Sequence, residues 1–111
     1  MKINIVRSPN YSIKNRKTKD IKYIIIHYTG MQSERACIKR LVNKKSEVST
    51  HFLINRLGNT TSMVDVTNIA WHAGRSKWKN FVNLNHQSIG IELVNKGHQF
   101  GYENFSKKQI S

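Results

Sequence analysis

Four residues of high strand propensity, Tyr23-Ile24-Ile25-Ile26, run directly into His27, Tyr28, Thr29 and Gly30. A continuous apolar run of this length, closed by glycine, predicts a central strand buried on both faces of a sheet. His27 then falls at the C-terminal end of that strand, where open α/β sheets place their ligand crevices. An imidazole there serves as a metal ligand, a catalytic base or a hydrogen-bonded core residue. The run by itself leaves all three open.

The remaining pattern is that of one α/β domain over residues 1–111. Ile3 and Ile5 alternate with polar residues and predict a short edge strand, ended by Ser8-Pro9-Asn10. Tyr11 to Asp20 is polar and reads as an exposed connection. Ser33 and Glu34 have the chemistry of an N-cap and a first turn, and Cys37, Ile38, Leu41 and Val42 share one helical face. The spacing predicts a helix from Ser33 to Asn43. Val48 to Asn55 and Thr60 to Val66 read as a hairpin about the turn Arg56-Leu57-Gly58-Asn59. Ala70 to Ser76 has no periodicity and reads as loop, flanked by Trp71 and Trp78. In Ser88 to Asn95, Ile89, Ile91 and Leu93 alternate with Gly90, Glu92 and Val94, which puts Glu92 on the face opposite Ile91. Ser106-Lys107-Lys108-Gln109 matches a capping box and announces a helix, yet the sequence stops after Ile110-Ser111. The expectation is a domain cut short.

Basic residues outnumber acidic ones by 19 to 6, a net charge of +13. Such an excess favours a polyanionic partner: nucleic acid, an anionic membrane or an acidic wall polymer. Its distribution argues against specific nucleic-acid recognition. Apart from the run Lys14 to Lys19 the charges are scattered, with no basic stripe on a helix and no interleaved aromatic platform. Abundant Lys, Asn and Ile fit compositional drift, so charge modifies the function rather than defining it. No apolar run reaches the roughly 20 residues of a membrane span, and Met1 to Lys19 lacks the apolar core of a signal peptide. These features lead to an expectation of no membrane insertion and a cytoplasmic location, or the cell envelope if the chain is exported by another route. The single cysteine, Cys37, excludes an intrachain disulfide.

The reactive inventory is five histidines (27, 51, 72, 86 and 98), Cys37 and the strand-borne Glu92. Their spacing matches no zinc finger and no pair of histidines one helical turn apart. Neither a glycine-rich phosphate loop nor a nucleophile elbow is present. A carboxylate among Ile, Gly and Leu is costly unless it is paired, functional or turned to solvent on a half-exposed strand. His51, beside Phe52 on a strand, reads as packed and hydrogen-bonded. His86 and His98 read as surface residues.

Taken in order, Ile24-Ile25-Ile26-His27-Tyr28-Thr29, Val48-Ser49-Thr50-His51-Phe52-Leu53-Ile54, Ala70-Trp71-His72-Ala73-Gly74-Arg75-Ser76 and Ser88-Ile89-Gly90-Ile91-Glu92-Leu93 resemble the zinc-dependent N-acetylmuramoyl-L-alanine amidases. That family includes phage lysozyme-like amidases and peptidoglycan recognition proteins. The resemblance covers about residues 21–109. It implies a mixed central β-sheet flanked by helices and a groove for peptidoglycan or a muropeptide. The implied reaction is hydrolysis of the amide between N-acetylmuramic acid and L-alanine. It implies His27 as the first of three zinc ligands, Glu92 as the catalytic acidic residue that activates the zinc-bound water, and Trp71 and His72 as groove residues that contact substrate. The family carries its second and third ligands in a segment beyond Gln109. The expectation is therefore an incomplete domain, missing its C-terminal helix and zinc-ligand segment, with one zinc ligand present. A complementing C-terminal polypeptide is then a further expected partner. A non-catalytic muropeptide-binding module and a decayed gene remnant are the alternatives.

Overall fold

The computed structural model describes residues 3–31, 33–72, 84–95 and 104–110. The strands are β1 (Ile3–Ile5), β2 (Tyr11–Ser12), β3 (Tyr23–Tyr28), β4 (Phe52–Ile54), β5 (Thr60–Ser62), β6 (Ile69–Ala70) and β7 (Ser88–Leu93). Five of them form a mixed sheet in the order β1-β5-β4-β7-β3, and β2 and β6 make a separate antiparallel pair. β3, β7 and β4 run parallel, while β5 turns back antiparallel to β4 as a short hairpin. The hairpin strands are shorter than the apolar pattern suggests. Ser49, Thr50 and His51 spend their polar groups on contacts outside the hairpin ladder.

One helix, α1 (Glu34–Val42), covers the face of the sheet that carries Leu53. Ser33 caps it by accepting from the Ala36 N–H at 3.1 Å, which satisfies one of the donors a helix start leaves orphaned. Cys37 and Leu41 point inward and pack with Leu53, Met63 and Val94. Ser106 Oγ accepts from the Gln109 N–H while Gln109 Oε1 accepts from the Ser106 N–H. This reciprocal box opens the single turn α2 (Lys107–Ile110). The buried Gln109 amide then donates to the carbonyls of Val94 and Ile54, which docks α2 across the ends of β7 and β4.

In the sheet formed by the described residues, the apolar run Tyr23–Tyr28 is not a central strand. Among the described residues β3 pairs only with β7 and forms the sheet edge, and its side chains alternate between half-buried and exposed. Ile24 and Ile26 are 65% and 63% exposed, whereas Tyr23, Ile25 and His27 face the covered side. Strand propensity made the run a strand, but burial on both faces needs a second layer and a second neighbour. Gly30, at φ +66°, ends β3 in the left-handed region that favours glycine.

The described core is small, so its central residue carries much of the stability. Leu53→Ala is expected to lower the unfolding free energy by about 3 kcal/mol, the scale of buried leucine truncations. Urea titration of the two proteins measures it, and a loss below about 1 kcal/mol would show that Leu53 is not the core's keystone.

Candidate active site

The inward face of β7 builds the site with alternate residues, Ser88, Gly90 and Glu92. In the parallel register Glu92 lies beside His27 on one side and Leu53 on the other. Side chains at paired positions of neighbouring strands point to the same face, about 4.8 Å apart at the backbone. His27 and Glu92 are therefore neighbours at the C-terminal ends of β3 and β7. Burial pushes the Glu92 carboxyl above its usual range, with Arg40 opposing. Burial also lowers the His27 imidazole. A carboxyl held near its proton and an unprotonated imidazole suit acid–base or ligand chemistry.

His72 comes to the same place from the segment after β6. Its Nδ1 lies 3.1 Å from His27 Nε2 and its Nε2 lies 2.9 Å from Ser88 Oγ. The two rings meet edge to face with centroids 5.3 Å apart. Burial holds His72 down to about 3, with the electrostatic influence of His27, His51 and Arg16 adding to it. Trp71 is anchored elsewhere: its indole N–H donates to Ser12 Oγ on β2, and its backbone pairs with Ser49.

His51 is packed and hydrogen-bonded, as its surroundings on the strand suggest. The Gly90 N–H donates to Nδ1, so the ring's own proton sits on Nε2 and goes to the Asn68 carbonyl at 2.9 Å. Arg16 closes this region. It is 4% exposed and donates to the carbonyls of Val66, Asn85 and His86, with Nη2 3.0 Å from His51 Nε2. The stretch read as an exposed connection thus contributes a buried cation and the strand β2. Arg16 sits inside a basic run with no apolar periodicity, so nothing local distinguishes it from its solvated neighbours. Ser88 and Gly90 did carry a signal, since they share Glu92's face in the alternation. His86 is exposed, with Nδ1 3.5 Å from Lys14 Nζ. Trp78, His98 and residues 73–76 lie outside the described residues.

The architecture is the mixed α/β fold of the peptidoglycan amidases. Residues 17–111 match the N-acetylmuramoyl-L-alanine amidase family, and the chain belongs to that family. It is 34% identical over 107 residues to the N-acetylmuramoyl-L-alanine amidase AmiD of Escherichia coli, covering 86% of this chain and 38% of AmiD. It is 29% identical to the 1,6-anhydro-N-acetylmuramyl-L-alanine amidase AmpD of Haemophilus influenzae, over 85% of this chain and 60% of AmpD. The chain thus spans less than two thirds of either relative. Among solved structures, the E. coli AmiD complex with anhydro-N-acetylmuramic acid-L-Ala-D-γ-Glu-L-Lys superposes with a TM-score of 0.73 at 29% identity, over 91% of this chain and 47% of that one. A selenomethionine AmpD derivative has the same fold at TM-score 0.75 and 23% identity, over 96% and 66%.

The neutral imidazoles set the sign of a pH dependence. His51 and His72 are held below the value near 6.5 that they have in the unfolded chain. Below that value the unfolded state binds more protons than the folded state, so their contribution is complete above pH 6.5 and is lost as pH falls toward about 3. Glu92, raised in the fold, works in the opposite sense over its own window above 4.5. His27 is lowered as well, so three lowered imidazoles stand against one raised carboxyl between pH 7 and 5. The unfolding free energy is expected to drop there by about 1–2 kcal/mol. Equal urea midpoints at the two pH values would contradict this.

Proposed function

We propose that this chain provides the acid–base half of an active site that hydrolyses the amide between N-acetylmuramic acid and the L-alanine of its peptide. The observation that carries the proposal is the side-by-side placement of His27 and Glu92 at the C-terminal strand ends. Family membership and the muropeptide bound to the E. coli AmiD structure support the substrate class. Glu92 takes a proton from the attacking water as the C–O bond forms, then delivers it to the nitrogen of L-alanine as the C–N bond breaks. The products are the muramic acid carboxylate and the free amine of the peptide. His72 lies against His27, while Trp71, held by Ser12 and Ser49 in the adjoining segment, is the proposed aromatic wall of the groove.

The family's zinc takes three protein donors and an open position. Among the described residues no three His, Cys, Asp or Glu side chains meet that need, so His27 alone does not fit a catalytic zinc. The chemistry assigned to this chain is therefore proton transfer by its own groups, and further donors come from outside the described residues or from a complementing polypeptide. The same observation favours a second reading, a muropeptide-binding module that does not cleave. No helix among the described residues is long and apolar enough to cross a membrane.

Chromatography of a muramyl-L-alanyl peptide incubated with the protein and zinc separates the two readings. Release of the free peptide is expected once the remaining metal donors are supplied, by residues outside the described ones or by a complementing polypeptide. It is reduced about 10²- to 10⁴-fold in Glu92→Gln, with the metal affinity of the completed site retained. His27→Ala is expected to weaken metal binding by that completed site. Muropeptide affinity that is indifferent to a chelator, with no release of peptide, would establish the binding module instead.

A further inference from the structure

His72 has both ring nitrogens engaged inside the protein, which fixes its protonation pattern. Ser88 Oγ, fully buried, donates its one hydrogen to the Leu84 carbonyl at 2.9 Å. Toward His72 Nε2 it can then only accept, so Nε2 carries the hydrogen at 2.9 Å. In the neutral ring Nδ1 is the lone pair, and the group facing it at 3.1 Å is His27 Nε2. That contact is a hydrogen bond only if His27 carries its proton on Nε2. The His27 lone pair is then on Nδ1, which makes no hydrogen bond among the described residues.

The sterics point the same way. A Cβ at position 90 would lie 2.3 Å from His72 Cγ and 2.5 Å from Cδ2, so the ring occupies the volume of a missing side chain. The segment carrying it is fixed as well. The Ser49 N–H donates to the Trp71 carbonyl at 3.0 Å, and the Trp71 N–H donates to Ser49 Oγ at 2.9 Å. The ring has one seat.

We propose that His72 is a positioning residue: seated over Gly90 and anchored by Ser88, it orients His27 so that the Nδ1 lone pair is presented to the site. This replaces the substrate-contact role expected for His72, and it rests on the reading of His27 as the site's nitrogen donor. A hydrogen-bonded partner on the far nitrogen is the usual means of setting which imidazole nitrogen acts.

The test is nitrogen NMR on the uniformly ¹⁵N-labelled chain without added metal. The wild-type protein is expected to show a His27 Nε2–H resonance, slow to exchange with water, with a scalar coupling across the hydrogen bond to His72 Nδ1. Gly90→Ala should abolish the coupling by unseating the ring. Ser88→Ala, which removes only the anchor, should weaken it and speed exchange while the amide spectrum stays dispersed. Absence of the coupling in the folded wild-type chain would overturn the proposal, as would a coupling unchanged in both variants. Because the readout needs no turnover, a chain that shows the coupling but cleaves no muropeptide would sink the hydrolase reading alone.

Discussion

An imidazole can lie flat against a β-strand only where the strand offers no side chain in return. Position 90 is that place, and much of the site follows from it. The bare backbone at Gly90 receives the His72 ring from above. Its N–H and C=O are engaged by His51 Nδ1, the His51 N–H and Thr50 Oγ1. One residue without a side chain thus joins the residues that lead into β4 to the segment after β6. Two positions along, the same face supplies Glu92 beside His27. The site is packed tightly around neutral rings, which is the source of both their lowered proton affinity and the raised carboxyl.

Where local chemistry decided the outcome, the sequence was readable. Ser33 capped a helix, Ser106 and Gln109 capped each other, and the alternation in Ser88 to Leu93 put Glu92 opposite Ile91. What it could not show was long-range. His27 and His72 are 45 positions apart, and their contact exists only because β7 lies between the segments that carry them. Arg16 was hidden for the same reason: its partners are carbonyls 50 to 70 positions away. The four motifs together identified the family when none of them did so alone.

The strand that looked most central is the instructive exception. Isoleucine favours a strand through its branched side chain whether or not the strand is covered. Propensity therefore specified the extended backbone of β3, and topology alone specified its place at the edge of the sheet formed by the described residues. Its outward residues join the exposed Ile3 and Ile5 on the face opposite α1, so the two sides of this sheet differ sharply in cover.

The family match begins at residue 17, one position after the buried guanidinium of Arg16. The sequence-pattern boundary and the physical boundary therefore do not coincide. Ser8 donates to the Leu41 carbonyl near the end of α1, Asn10 ties the carbonyls of Asn43 and Val48, and Ser12 holds the Trp71 indole. This leading segment works as a strap that ties the end of α1 to the segment before β4 and is buckled at Arg16. A domain trimmed to its recognisable motifs would keep every residue assigned a chemical role and lose the brace that keeps His51 and Trp71 in place.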